Sequence, residues 1–155
     1  MGLVNIDIPA GCITNGMLVG SIGADKMAAA TRCVDYELYA DASAVVAVTR
    51  RLHACRAAGT VVGFEAVIAL DATGADRVVS VDLQLAHAGG SFASILSAPI
   101  SIPDGSTINT PYAGTISSAT LIDGDVLQVV VTVAGAAGNA AKGLLVTLTY
   151  DEARS

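Results

Sequence analysis

Tryptophan is absent from this 155-residue chain, aromatic residues of every kind make up 4%, and charged residues 14%. Average chains carry about 25% charged residues, so the surface is unusually bland. A free monomer with so little charge has a solubility problem; the composition is explained if partners cover part of that surface. Positive charge is scarcest, with a net charge of −6. Nucleic-acid binders need a basic footprint to displace counterions from phosphates. The one basic cluster, Arg50, Arg51 and Arg56, is too small for that, so no nucleic-acid partner is expected.

Long apolar runs are missing too. Glu65 interrupts one candidate, and Gln128, Thr132 and Gly135 another, so neither spans a bilayer. The opening Met1-Gly2-Leu3-Val4-Asn5-Ile6-Asp7-Ile8-Pro9 has no basic region and no unbroken apolar core. Ile6 stands where myristoylation wants Ser or Thr. The expectation is a soluble protein made in a cytoplasm, with no membrane partner. Three cysteines (Cys12, Cys33 and Cys55) leave at least one unpaired, and in a reducing compartment all three read as small buried apolar residues.

Catalytic inventories are thin. There are two histidines, His53 and His87, and no G-x-S-x-G. His53 and Cys55 have metal-ligand spacing, but a structural zinc site wants four ligands in recognisable pairs, and Cys12 and Cys33 are isolated. Gly138 to Gly143 fails as a P-loop because Ala141 precedes Lys142 and Gly143 follows it. Asp71, Asp76, Asp123 and Asp125 lack the dense alternation of oxygen ligands that calcium requires, and turn chemistry accounts for them. No enzyme, metal or cofactor is expected.

What the chain does have is short β-rich runs separated by Gly, Asp and Pro. Val34, Tyr36 and Leu38 alternate with Asp35 and Glu37, and Val79, Val81, Leu83 and Leu85 with Ser80, Asp82 and Gln84. Both are half-buried strands by period. Further strands are expected over 3–8, 44–55, 60–70, 92–97, 115–122, 126–133 and 144–150. Asp123-Gly124-Asp125 is a hairpin-type turn signal, and the prolines at 99, 103 and 111 mark an irregular crossing. The sum is one all-β domain over 1–155, an antiparallel two-sheet sandwich of jelly-roll type with eight or nine strands. At most one short helix is expected, near 24–31, where Lys26, Met27 and Ala28 to Ala30 favour it.

Several stretches carry a resemblance: Ser94 to Ile102, Ala119 to Val131 with its L-x-x-G-D-x-L turn, the closing Gly143 to Tyr150, and Ile22 to Met27. Together they resemble the capsid decoration (cement) proteins of tailed bacteriophages. That resemblance implies a virion protein on the capsid exterior, a homotrimer bound to the major capsid protein, with no catalytic residues. The capsid-contact candidates are Leu3, Val4, Ile6 and Ile8 of an extended arm over 1–9, which could add a strand to a neighbour, and Arg50, Arg51 and Arg56. By strand alternation Arg51 faces away from Arg50 and Arg56. The alternative is a tail or head-fibre protein, or a carbohydrate-binding receptor module with Tyr36, Tyr39 or Tyr112 exposed around a groove. An enzyme would instead show a deep pocket holding His53 or His87 beside a carboxylate.

Overall fold

Alternating apolar residues bury one face of each strand, and in this protein two such sheets close on each other. A computed structural model describes residues 29–72, 77–118, 120–135 and 140–153, and all of the regular structure among them is β. There are ten strands: β1 (Ala29–Ala44), β2 (Val48–Ala54), β3 (Gly59–Leu70), β4 (Val78–Ala86), β5 (Ala93–Ser94), β6 (Ile100–Pro103), β7 (Tyr112–Ala113), β8 (Thr120–Leu121), β9 (Val126–Ala134) and β10 (Lys142–Ala153). Every pairing is antiparallel.

The first sheet runs β1-β10-β3-β7, with β8 also on β3; the second runs β2-β9-β4-β5, with β6 also on β4. Counting β5 with β6 and β7 with β8 as interrupted strands leaves eight, and their order is that of a jelly roll. β4 shows the cause plainly. Val79, Val81, Leu83 and Leu85 are buried while the residues between them are half-exposed. They meet Leu127, Val129 and Val131 of β9 beside them, and across the sandwich the core continues through Phe64, Ile68, Leu144, Val146 and Leu148. The expected sandwich is therefore present.

Local expectations fared unevenly. The expectation of at most one short helix holds, since no helix occurs among the described residues, and the last positions of the 24–31 candidate are strand. Positions 24–28 lie outside the described residues, and Ala29, Ala30 and Thr31 are strand, paired with Ala153, Glu152 and Asp151. Pairing across the sheet outweighs a few tenths of a kcal/mol of helix propensity per residue. The proline-marked crossing contains β6, whose Val79↔Ile102 and Val81↔Ile100 pairs bury both isoleucines; Pro103 sits at the strand's last position. Cys55 is buried as expected, but Cys33 is exposed on the outer side of β1. Asp123-Gly124-Asp125 is no hairpin, because it joins β8 of the first sheet to β9 of the second.

That turn is a fastening instead. Gly124 adopts a φ of 86°, open to glycine and strained for other residues. Asp125 is fully buried, and its carboxylate accepts the Ile122 N–H at 2.8 Å and contacts His87 Nδ1 at 3.0 Å. Its carbonyl accepts the Cys55 N–H at 2.8 Å, while Gly124 N–H donates to the Cys55 carbonyl at 3.0 Å. Three chain connections meet on this residue. We predict that Asp125→Ala, which strands the Ile122 N–H, lowers stability by about 1–3 kcal/mol. Asp125→Asn, whose amide oxygen still accepts that N–H, should lose less. Urea denaturation of the two variants beside wild type checks the order.

Candidate interaction surface

The three arginines expected to share a role are spread out by the structure. Arg50 lies opposite Val129 and Arg51 opposite Gln128, and then the register shifts between Arg51 and His53. Leu52 is the extra residue of that bulge, and an inserted residue breaks strict alternation. Arg56 lies beyond the end of β2, in the turn leading to β3. The expectation that Arg50 and Arg56 share a face by alternation is thus corrected. The Arg50 guanidinium stands 5.7 Å from the centre of the Tyr39 ring, and the Tyr39 hydroxyl donates to the Val46 carbonyl at 2.9 Å. Leu3, Val4, Ile6 and Ile8 lie outside the described residues.

On the outer face of the second sheet, one row crosses four strands: Arg51, Gln128, Gln84 and Ser94. Gln128 Nε2 donates to Gln84 Oε1 at 2.9 Å, Gln84 Nε2 to Asp82 Oδ2 at 3.0 Å, and the Ser94 hydroxyl to Asp82 Oδ1 at 2.6 Å. Period-two reading placed Asp82 and Gln84 on the polar side, but nothing in the spacing tied them to Gln128 or Ser94. The outer face of the first sheet carries Thr31, Cys33, Asp35 and Glu37 of β1 beside Leu145, Thr147, Thr149 and Asp151 of β10. Thr147 donates to Asp35 at 2.7 Å, and Thr31 to Asp151. Short hydroxyls thus satisfy carboxylates across this pair of strands.

The titratable groups inside sit at one end. His53 packs against Tyr150 with ring centres 4.8 Å apart and planes at 44°, and its buried Nε2 has no hydrogen-bond partner. Burial lowers the His53 pKa below 6.5, opposed by Glu152 and reinforced by Arg32, which itself bridges Glu152 at 2.9 Å. Burial, then Asp125 and Glu152, push the Cys55 thiol up to about 11, so it is a neutral apolar filler at pH 7 and not a thiolate. Tyr36 and Tyr150 are raised, chiefly by burial. His87 does lie beside a carboxylate, yet its side chain is 61% exposed and the Asp125 oxygens are committed to the turn. The cavity of about 280 Å³ between β6 and β7, lined by Pro99, Ile100, Ser101, Tyr112 and Gly114, includes neither histidine. Among the described residues no group of three His, Cys, Asp or Glu is placed to hold a metal. Tyr36, Tyr39 and Tyr112 are half-buried, and the Tyr112 hydroxyl donates to the Thr107 carbonyl at 3.2 Å. Tyr112 lines the cavity between β6 and β7 and Tyr39 a separate one beside Glu37, Asp41 and Asn109, so these two do not share a groove.

No family model matches this sequence, and no curated protein does. Among solved structures, a chain from the infectious bursal disease virus Gx strain aligns at a TM-score of 0.34 and 14% identity. It covers 82% of this chain and 37% of its own. A chain from the Gt strain aligns at 0.32 and 17%, covering 82% and 38%. This chain thus spans well under half the length of either, and likenesses at this level assign it no function.

The His53 geometry has a measurable consequence. Its folded pKa lies below the ordinary 6.5, so as pH falls the unfolded chain takes the proton first. Stability contributed by neutral His53 is fully present above 6.5 and is lost progressively as pH falls from there through the lower folded value. Thermal unfolding followed from pH 7.5 to 5.5 should show a smaller decline for His53→Phe, which keeps the stack on Tyr150, than for wild type.

Proposed function

We propose that this chain is a structural virion protein that decorates and stabilises a bacteriophage capsid by binding the major capsid protein as a homo-oligomer, a trimer. It is no enzyme and uses no cofactor, nucleic acid or membrane; it is made in the host cytoplasm and acts on the capsid exterior. The observation that carries this reading is β1. It is a 16-residue strand at the margin of its sheet, and among the described residues it pairs with β10 alone. An edge that long invites another chain to pair with it, and on the outer face beside it threonines satisfy the neighbouring carboxylates. A protein that joins capsomers needs area of this kind more than it needs chemistry.

Arg50 lies on β2 and Arg56 past its end, in the turn leading to β3, so the two are not presented together on one strand face. Exposed ion pairs contribute about 0–1 kcal/mol each; apolar and backbone contacts should dominate. Light scattering of the purified protein should give a multiple of 15.5 kDa. In a co-sedimentation assay with undecorated particles, Arg50→Ala with Arg56→Ala should weaken attachment modestly, and deletion of residues 1–8 much more. A truncated protein that decorates as well as wild type removes the arm from this account. A wild-type protein that binds no particle removes the decoration reading itself.

A further inference from the structure

From Ala29↔Ala153 to Glu37↔Leu145, nine consecutive residues of β1 pair with β10 without a break; the register first slips between Glu37 and Tyr39. The far side of this segment offers a row of backbone N–H and C=O groups with no partner among the described residues. Of the usual guards this segment has only charged side chains, Arg32, Asp35 and Glu37. The segment holds no proline, no lysine and no bulge, and its one cation, Arg32, is bound to Glu152.

We propose that residues 29–37 pair antiparallel with the same residues of a second copy, about a two-fold axis through Cys33. This rests on reading the chain as self-associating, and it names the contact. Residues facing each other across an antiparallel pair lie on the same side of the sheet. Thr31, Cys33, Asp35 and Glu37 look outward, whereas Val34, Tyr36 and Leu38 pack on the core. A two-fold axis must therefore set one residue opposite itself.

Charge and length then choose the residue. An axis at Arg32 opposes two guanidiniums, and one at Asp35 two carboxylates. At Tyr36 it sets Asp35 against Glu37 twice. At Val34 it confines pairing to 31–37 and places Cys33 against Asp35. An axis at Cys33, the midpoint of the unbroken segment, uses all of 29–37. Asp35 then falls opposite Thr31, Arg32 opposite Val34 and Glu37 opposite Ala29, with no like charges facing. The two Cys33 Cα atoms come about 4.5–5.5 Å apart, the spacing of directly opposed residues, which a disulfide spans. Such a contact is isologous and makes pairs, so in a trimeric protein it links one trimer to the next.

The test compares wild type, Cys33→Ser and Cys33→Lys by analytical ultracentrifugation, with circular dichroism confirming that each is folded. Cys33 is exposed, so lysine is accommodated in the protomer; across the axis it sets two ammonium groups face to face. Cys33→Ser should keep the wild-type mass and Cys33→Lys should fall to the mass of the unpaired unit. Independently, diamide should link wild-type copies through Cys33, two thiols giving one S–S bond and passing two electrons and two protons to the reagent, with the joined peptides identified by mass spectrometry. The proposal is overturned if Cys33→Lys sediments like wild type, as it will if residues 1–28 of the same chain cover the edge. It is equally overturned if wild type is monomeric, or if diamide joins only other cysteines. Particle co-sedimentation of Cys33→Lys separates the two ideas: binding retained with the pair lost supports both decoration and the contact, and a pair that survives while wild type decorates particles overturns the contact alone.

Discussion

A sandwich of two sheets needs something to fix how the ends of its strands meet, and here one buried carboxylate does so. Asp125 sits where β2 ends, where β4 leaves its sheet and where the chain passes from β8 to β9. A buried carboxylate is expensive unless hydrogen-bonded, and both oxygens are engaged by His87 and one also by the Ile122 amide. Removing these partners while keeping the carboxylate buried would therefore be costly. Burial is the main reason the neighbouring Cys55 thiol is raised, and Asp125 adds to it.

With that end fixed, the inner faces close on apolar side chains and the outer faces are left to residues that hydrogen-bond one another. Two different devices achieve this. On the first sheet, threonines donate to the carboxylates of the neighbouring strand. On the second, two glutamines relay a hydrogen bond to Asp82. In each case a charge that would otherwise need water is satisfied within the sheet, and a surface satisfied in this way costs less to cover.

How legible this was depended on the range of the forces involved. The alternation of Val79 to Leu85 and of Val34 to Leu38 reports burial by strand period, and both strands stand where they were expected. The core of β6 was hidden because Pro99 and Pro103 read as loop, although Ile100 and Ile102 alternate and are buried. Period alone also could not separate Cys33 from Cys55. The first lies on the outward parity of β1, and the second, beyond β2, turns into the core. Arg56 was misplaced because a bulge at Leu52 shifts parity, and its cause is pairing with β9, which local sequence does not report. His87 with Asp125, thirty-eight residues apart, left no signal at all.

The margins of the two sheets differ in a way that bears on what the molecule is built to meet. β5 and β7 have two residues each, too short to template another chain. β2 is longer but guarded, with a bulge between Arg51 and His53 and with Arg50 and Arg51 exposed along it. Those are the devices by which sheet proteins keep an edge from pairing. β1 alone among these four is long and, over 29–37, unbroken. Among the described residues, then, three edges are short or bulged, while the fourth, which carries Arg32, Asp35 and Glu37, is long and has no strand paired on its far side. Weak selection for solubility would close all four alike. An open edge beside three closed ones is the pattern expected when one edge is reserved for a partner, and a partner that presents the same strand satisfies every backbone group on both sides at once.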